Sequence, residues 1–182
     1  MLDASCCQIE RFLIGALDEE MLEICRKDGI PSILVNGSSV LQGRKAAYFS
    51  THNPIFKQMG SVKTNFVRDL LEANINPVLS DIDVSWLRDP REYFHTGSLG
   101  LADILISTDC IDIPADNKDN GGCAHVNMNT GVLYLRSTEN TKNFVKKWNE
   151  KISSSDVHWM RDQPAFNTLI REKDSLHTAW QH

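Results

Sequence analysis

The chain lacks any apolar run of membrane-spanning length and any excess of basic residues. No run approaches the ~20 apolar residues that a membrane helix needs. The net charge of -5 argues against a general nucleic-acid binder, which would carry a basic face. It leaves a nucleotide ligand open, because a metal held by carboxylates can offset phosphate charge. Met1 to Glu10 also lacks the basic start and apolar run of a signal peptide, so the chain is predicted to be cytosolic or to lack its targeting segment.

The cysteines are few, and their spacing matches no metal-site pattern. There are five of them, so at least one thiol stays unpaired within the chain. Cys110 and Cys123 bracket a loop and could pair in an oxidising compartment. Free thiols are the simpler expectation. Internal repeats and low-complexity segments are absent.

The length of 182 residues and the 41% hydrophobic content predict a single globular domain over residues 1–182. Phe12 to Ala16 is predicted as a strand, and Asp18 as the N-cap of a helix that stops near Gly29. Ile30 to Val35 is predicted as a second strand, so the strand-helix-strand order indicates an α/β fold. The buried face of the helix is predicted to consist of Met21, Leu22, Ile24 and Cys25.

Further along the chain, the predicted elements include two amphipathic helices and a strand. Tyr48 to Met59 shows no clear period and is left irregular, whereas Ser61 to Ala73 is strongly periodic. Ala102 to Ser107 is predicted as a strand and Thr138 to Ile152 as an amphipathic helix. The apolar stripe of the first helix is Val62, Phe66, Val67, Leu70 and Ala73. The inward positions of the second are Phe144, Val145, Trp148 and Ile152.

The most informative stretch follows a short apolar strand at Val78 and Leu79. Asp81 and Asp83 come directly after it, and residues two apart on a strand face the same side. At the carboxyl end of a strand in an α/β sheet, two such carboxylates suit Mg²⁺ or Mn²⁺ together with substrate phosphates. The alternative is a simple turn whose aspartates cap the bend between Leu87 and Pro90.

Two other polar clusters have both structural and functional interpretations. Asn129 and Gly131 begin a predicted strand, where the amide suits sugar hydroxyls and the glycine allows close approach of a ligand. Asp162 is a good N-cap for the last helix, with Phe166, Leu169 and Ile170 inward, but capping does not explain Gln163. Lys63 on the periodic helix is a candidate phosphate or sugar contact, or else a solvated lysine.

Together these clusters resemble the plant nucleotide-diphospho-sugar transferase family, which includes Golgi arabinosyl- and xylosyltransferases. The resemblance runs from about Phe12 to Arg171. It implies a GT-A, Rossmann-like fold with a mixed, mainly parallel sheet flanked by helices. It also implies a UDP-sugar donor, a glycan or glycoprotein acceptor, Mn²⁺ (or Mg²⁺), and transfer of a pentose or hexose with retention at the anomeric carbon.

The resemblance also assigns roles to individual residues. Asp81 and Asp83 would hold the metal and the diphosphate, and Lys63, Asn129 and Gly131 would contact the donor. Asp162 would bind donor-sugar hydroxyls, with Gln163 beside the anomeric carbon. Because an amide is a poor nucleophile, front-face attack by the acceptor hydroxyl is favoured.

The ends of the chain depart from the family pattern. The expected first strand and helix, which hold the nucleotide base, are missing before Met1 to Gln8. His177 and His182 do not form the family's histidine metal-ligand segment. We therefore expect a domain truncated at both ends and carrying no membrane anchor, while the resemblance implies a Golgi-lumen location.

Two other functions fit parts of the pattern. One is a haloacid dehalogenase-type phosphohydrolase, in which Asp81 and Asp83 would be nucleophile and acid, although no later paired acidic motif is evident. The other is a non-catalytic relative that binds a sugar nucleotide without transferring the sugar.

Overall fold

The computed structural model describes residues 9–35, 54–112, 127–154, 156 and 159–172. Strand β1 (Ile14–Ala16), helix α1 (Glu19–Lys27) and strand β2 (Ser32–Leu34) form the first unit, and the two strands pair in parallel. The Asp18 carboxylate accepts a hydrogen bond of 2.7 Å from the Met21 amide, which confirms the predicted N-cap. Gly29 has a φ of 69°, a left-handed conformation that suits glycine just past a helix end.

Helix α1 buries a narrower face than the sequence predicts. Leu22 and Cys25, three residues apart, are buried as predicted. Met21 and Ile24 are 43% and 49% exposed, so their predicted burial is wrong. Successive residues on a helix are turned by about 100°, so Met21 and Ile24 lie to one side of the buried stripe.

Helix α2 (Pro54–Glu72) is longer than predicted, because it takes in the second half of the segment that the pattern leaves irregular. Proline is well suited to the first turn of a helix, where its missing N–H would have no intrahelical acceptor. Val62 and Val67 are buried as predicted, but Leu71 is also fully buried. Ala73 is exposed because α2 ends before it, at Glu72.

The central sheet has three strands: β3 (Val78–Ser80), β4 (Ile104–Thr108) and β5 (Met128–Leu135). The order is β3-β5-β4, and both pairings are antiparallel. The mixed α/β class is therefore confirmed. The expectation of a mainly parallel sheet holds only for β1 and β2 among the described strands. The strands that follow β3 along the chain run against their neighbours, a direction that hydrophobic patterns do not specify.

A bulge in β5 faces the end of β4. Ile106 pairs with Leu133, whereas the next residue, Ser107, pairs with Asn129. Residues 130–132 therefore have no partner on β4. Such irregularities bend a strand and release backbone groups from the ladder, and here they do so at the Asn-Thr-Gly segment.

Two short helical segments link β3 to β4. Helix α3 (Arg91–Phe94) is followed by a 3-10 helix at Gly97–Leu101. The Phe94 ring stacks on Tyr134 of β5 with a centroid distance of 5.4 Å. This contact anchors the connection to the sheet.

The main core lies between the sheet and three helices, α2, α4 (Glu139–Ser154) and α5 (Asp162–Arg171). Helix α4 contacts both α2 and α5, and α5 also contacts β5. The inward positions predicted for these two later helices are confirmed. Phe144, Val145, Trp148, Ile152, Phe166 and Leu169 are buried, and Ile170 packs against them.

The cysteines differ from the expectation of free thiols. Cys110 is disulfide-bonded, and the predicted pairing with Cys123 falls outside the described residues. Cys25 is free and buried, as expected for a small apolar side chain. The sequence shows the two cysteines around the loop but not how near they come in space.

Within the described ranges, no helix is both long and apolar enough to span a membrane.

Candidate active site

Strand β3 ends at Ser80, immediately before the two predicted metal-binding aspartates. The Asp81 amide donates to the Gly131 carbonyl at 2.8 Å, and Ile82 and Asp83 then form a turn. The Val84 amide closes this turn onto the Asp81 carbonyl at 3.2 Å. Neither aspartate lies on the strand as predicted, so strand alternation does not determine the direction of the two carboxylates. Both residues are nevertheless exposed and within reach of a ligand.

Lys63 of α2 connects three elements at one point. Its Nζ lies 2.8 Å from Asp81 Oδ1 and 3.2 Å from Asp162 Oδ2. It also donates to the Thr130 carbonyl at 2.8 Å. Only 18% of the Lys63 side chain is exposed and its ammonium has three partners, so Lys63 is a partly buried counter-ion of the cluster and not the solvated lysine of the alternative interpretation.

Helices α2 and α5 meet closely beside this lysine. A Cβ at Gly60 would lie 2.9 Å from the Asp162 amide nitrogen, so glycine permits the approach. The Asp162 carbonyl accepts a hydrogen bond of 2.7 Å from Trp148 Nε1 of α4. The first turn of α5 is thus held from two sides.

Asp162 is not the N-cap that the sequence predicts. Helix α5 begins at Asp162 itself, with Arg161 as N-cap and no side-chain capping bond. The Asp162 carboxylate instead accepts a hydrogen bond from Thr130 Oγ1 at 3.0 Å and pairs with Lys63. An interaction with a charged donor outweighs capping, which is worth about 1 kcal/mol.

A second set of hydrogen bonds links Asn129, Asp109 and Gln163. Asn129 Nδ2 donates to Asp109 Oδ1 at 2.7 Å, and Gln163 Nε2 donates to Asp109 Oδ2 at 2.9 Å. The amide oxygens face the bulge of β5. Asn129 Oδ1 accepts from the Gly131 amide at 2.7 Å, and Gln163 Oε1 accepts from the Thr130 amide at 3.3 Å.

The structure therefore brings together all the predicted site residues except Asp83, which makes none of the contacts described. They are Lys63, Asp81, Asn129, Gly131, Asp162 and Gln163. The sequence missed Asp109 and Thr130 as members of the site. Asp109 carries a usable signal, because it directly follows a strand, as Asp81 does. Thr130 contributes two backbone groups besides its hydroxyl, and backbone contacts leave no trace in residue type.

The donor set fits a hard divalent cation in its chemistry. Asp81 and Asp83 offer exposed carboxylate oxygens, which suit Mg²⁺ and Mn²⁺. In the part of the chain that the structure describes, no group of three or more His, Cys, Asp or Glu residues could hold a metal. Phosphate and water oxygens would have to complete the shell, as is usual for Mg²⁺ with nucleotides. His177 and His182 lie outside the described residues.

Comparison with known proteins identifies similar sequences. Residues 7–178 match the family model described as nucleotide-diphospho-sugar transferase. The chain is 28% identical over 170 residues to arabinosyltransferase XEG113 of Arabidopsis thaliana, covering 91% of this chain and 24% of that protein. It is 30% identical over 113 residues to a UDP-D-xylose:L-fucose alpha-1,3-D-xylosyltransferase of the same plant, covering 57% of this chain and 30% of that protein.

A third relative is the beta-arabinofuranosyltransferase RAY1 of Arabidopsis thaliana. It is 23% identical over 169 residues, which is 91% of this chain and 29% of that protein. The chain thus spans less than a third of the length of each of these three relatives. No solved structure matches it.

Proposed function

Because the chain belongs to the nucleotide-diphospho-sugar transferase family, we propose that it transfers a pentose or hexose from a UDP-sugar to a glycan or glycoprotein acceptor. The proposed reaction depends on a divalent metal and retains the configuration at the anomeric carbon. One observation carries the proposal. The Lys63 ammonium contacts the carboxylates of both Asp81 and Asp162 at the end of β3, although the three residues are far apart in sequence.

The charge of this cluster supports a metal-bound diphosphate. Three carboxylates, on Asp81, Asp109 and Asp162, lie in one hydrogen-bonded cluster with the ammonium of Lys63. A diphosphate would be repelled from such a cluster unless a cation accompanied it. Asp81 and Asp83 would hold Mn²⁺ or Mg²⁺, which when bound supplies positive charge to the leaving diphosphate.

Lys63 has a second proposed role as a donor contact. Its ammonium lies at the carboxylate that would receive the metal, so a small rotation of its flexible stem can bring it to a phosphate oxygen. Asn129 and Gly131 lie on β5 at its bulge, where the missing side chain of the glycine lets the Asn129 amide oxygen and the Asp81 carboxylate come close together. Together these groups would orient the UDP-sugar.

Asp162 and Gln163 are the proposed catalytic pair. Asp162 accepts from Lys63 and Thr130 and can accept from sugar hydroxyls on its remaining lone pairs. Gln163 presents an amide, which is a poor nucleophile, and we therefore propose front-face attack by the acceptor hydroxyl. A covalent sugar trapped on any side chain of the enzyme would contradict this mechanism.

The proposal is tested by thermal shift with UDP, UDP-xylose, UDP-arabinose and UDP-glucose, each with and without Mn²⁺. We expect stabilisation by a UDP-sugar only when Mn²⁺ is present; at a ligand concentration of 100 Kd it should reach about 2.7 kcal/mol. Asp83→Ala should abolish it. Asp28→Ala, a change at the C-cap of α1, is the matched control and should respond like the wild type.

Two outcomes would overturn the proposed function. One is an equal shift for the wild type and Asp83→Ala. The other is hydrolysis of an aryl phosphate that UDP does not inhibit, which would favour the phosphohydrolase alternative. Binding of UDP and Mn²⁺ without sugar transfer or donor hydrolysis would instead identify a non-catalytic relative.

We propose the Golgi lumen as the location. The disulfide at Cys110 supports it, because disulfides persist in oxidising compartments and are rare in the cytosol. Immunolocalisation of the full-length protein tests this directly. A cytosolic signal would contradict it.

A further inference from the structure

A closed circuit of hydrogen bonds runs through five residues of the site. It leads from the Thr130 amide to Gln163 Oε1, and from Gln163 Nε2 to Asp109 Oδ2. From Asp109 Oδ1 it continues to Asn129 Nδ2, and from Asn129 Oδ1 to the Gly131 amide. Thr130 and Gly131 are neighbours in the chain, so the circuit begins and ends on the bulge of β5. We call these five residues the polar circuit.

The two ends of the polar circuit fix the direction of both amides. Thr130 and Gly131 each offer a backbone N–H, which can only donate. The amide group of Gln163 must therefore turn its oxygen towards Thr130, and that of Asn129 must turn its oxygen towards Gly131. Both NH₂ groups then point away from β5, towards the middle of the circuit.

The midpoint of the circuit accordingly receives a donor from each side. A carboxylate satisfies both, because it has one acceptor oxygen for each donor and no N–H or O–H of its own. An amide at the midpoint would place one of its own N–H groups against the NH₂ of Asn129 or Gln163. If that side-chain amide rotated by 180°, its NH₂ would instead face the backbone N–H of Gly131 or Thr130.

We propose that Asp109 is a positioning residue that sets the amides of Asn129 and Gln163 for the donor sugar. Each NH₂ uses one hydrogen in the polar circuit and keeps the other for an oxygen of the ligand. Asp109 is exposed and Asn129 and Gln163 are partly exposed, so a ligand can reach the circuit. The sugar as ligand rests on the proposed function, whereas the orientation of the amides does not.

The test is a cycle of four proteins: wild type, Asp109→Asn, Asn129→Asp and the double variant. Asp109→Asn introduces one N–H to N–H conflict, and Asn129→Asp opposes two carboxylates. The double variant restores the polarity, because it exchanges the amide and the carboxylate between positions 109 and 129. The amide at position 109 then donates to the carboxylate at position 129 and still accepts from Gln163. The Gln163 amide therefore keeps its wild-type direction.

Two measurements are made on each protein. The side-chain amide signals of Gln163 are followed by NMR, and kcat and KM for the donor are measured in the transfer reaction. We expect Asp109→Asn to shift the Gln163 signals and to lower kcat by about 10²-fold, the size of effect expected when a reacting group is misplaced. The unfolding temperature should change little, because Asp109 is exposed. The double variant should regain the Gln163 signals but only part of kcat, because a carboxylate at position 129 lacks the N–H that Asn129 keeps for the ligand.

The outcomes separate this inference from the proposed function. If Asp109→Asn leaves the Gln163 signals unchanged, or if the double variant does not restore them, the positioning role is overturned. If the NMR pattern follows the cycle but the wild type transfers no sugar, the positioning role stands and the transferase function fails. Asp28→Asn is the control for loss of a carboxylate elsewhere.

Discussion

Lys63 is the side chain on which the charges of the site depend. It neutralises parts of two carboxylates, at 2.8 Å from Asp81 and 3.2 Å from Asp162. Its own side chain and that of Asp162 are only 18% and 17% exposed, so solvent screens their attraction weakly. A cation entering at Asp81 must share that carboxylate with the ammonium. In the proposed function, Lys63 would thus be both a competitor of the metal and a partner of the diphosphate.

Replacing Lys63 by methionine should separate these two effects. Methionine keeps most of the apolar stem and removes the charge, so Mn²⁺ should bind about tenfold more tightly in the absence of the donor. The kcat/KM for the UDP-sugar should fall by about 10²-fold, because the phosphate contact is lost. Calorimetry with Mn²⁺ and donor kinetics give the two values.

The control for this change is Lys151→Met, which removes the partly exposed ion pair between Lys151 of α4 and Glu172 and should alter neither value. Unchanged Mn²⁺ affinity in Lys63→Met would mean that the ammonium and the cation do not compete for Asp81.

Gly131 is needed for space at the site. A Cβ there would lie 2.8 Å from Asn129 Oδ1 and 3.4 Å from Asp81 Oδ2. Gly131→Ala should therefore displace the Asn129 side chain, break its bond to the Gly131 amide and lower the free energy of unfolding by about 1 kcal/mol. The donor KM should rise about tenfold, which steady-state kinetics would measure.

Gly29→Ala is a control that should destabilise the protein about as much as Gly131→Ala does. Its φ of 69° is unfavourable for alanine and costs about 1–2 kcal/mol, but among the described residues no atom lies within 4 Å of the added methyl group. It should destabilise the protein while leaving the donor KM unchanged. An equal rise of KM in both variants would show that stability, and not space at the site, controls binding.

The residue types indicate most members of the candidate site, but they do not show which of these residues contact one another. Lys63, Asp81 and Gln163 could be named from the sequence because they stand in a recognisable order. Their mutual contacts could not be named, since these depend on where β3, β5 and α5 meet. The sequence does not distinguish Asp109, because this residue opens an acidic stretch, where a carboxylate is expected to be solvated.

At the scale of elements, the start of α3 shows how one carboxylate orders a connection. Asp89 accepts a hydrogen bond of 2.9 Å from the Arg91 amide and pairs with the Arg91 guanidinium. The side-chain hydrogen bond from Arg91 lowers the pKa of Asp89 below its usual value. Asp89 therefore helps to hold the segment that carries Phe94 onto Tyr134.

The sign of the resulting pH effect follows from that lowered pKa. Unfolded aspartate titrates near pH ~3.9, so the contribution of Asp89 is complete above that pH. It is lost as the pH falls through the lower pKa of the folded state. The amides of Arg91 and Phe94 donate to Asp89 and to the Pro90 carbonyl. We expect these two amide protons to lose protection from exchange over this acid range, as followed by NMR.

Asp89→Asn is the matched variant for this prediction. Its amide can still accept from the Arg91 backbone but carries no titrating charge, so the protection of α3 should be lower and nearly independent of pH below about 4. The same acid transition in Asp89→Asn would assign the effect to another group.

Element boundaries were predictable where periodicity was strong and not where it was weak. The two later helices match the pattern because their apolar positions recur at a spacing of three or four residues. Helix α2 begins at Pro54, earlier than predicted. The pattern does not indicate these first turns, because they lack a continuous apolar stripe. Strand β3 ends one residue before Asp81, since backbone bonding to β5 decides where pairing stops.

At the scale of the whole molecule, the core and the site share a support in Trp148. Its ring is fully buried and packs edge-on against Phe166 at a centroid distance of 5.2 Å. Its Nε1 donates to the carbonyl of Asp162, the first residue of α5. The packing of α4 in the core therefore helps to fix the position of Asp162, a proposed catalytic residue. A charged cluster is thus positioned by helices whose apolar faces are buried.

Trp148→Phe tests this coupling between core and site. Phenylalanine loses the hydrogen bond, leaving a carbonyl without its buried donor, and leaves a cavity, so the free energy of unfolding should fall by about 2 kcal/mol or more. Asp162 should shift, and donor kcat/KM should fall by about tenfold or more. Denaturant unfolding and steady-state kinetics at a temperature well below the transition measure the two effects separately.

Phe144→Leu is the control that separates coupling from instability. Phe144 lies in the same aromatic cluster, 5.1 Å from Phe166, but makes no hydrogen bond to α5 among the described contacts. Its replacement should cost about 1 kcal/mol of stability through packing alone. Because Asp162 keeps its bond to Trp148, donor kinetics should stay at the wild-type level. If Phe144→Leu lowers kcat/KM as much as Trp148→Phe does, the site depends on the core as a whole and not on the link from Trp148 to Asp162.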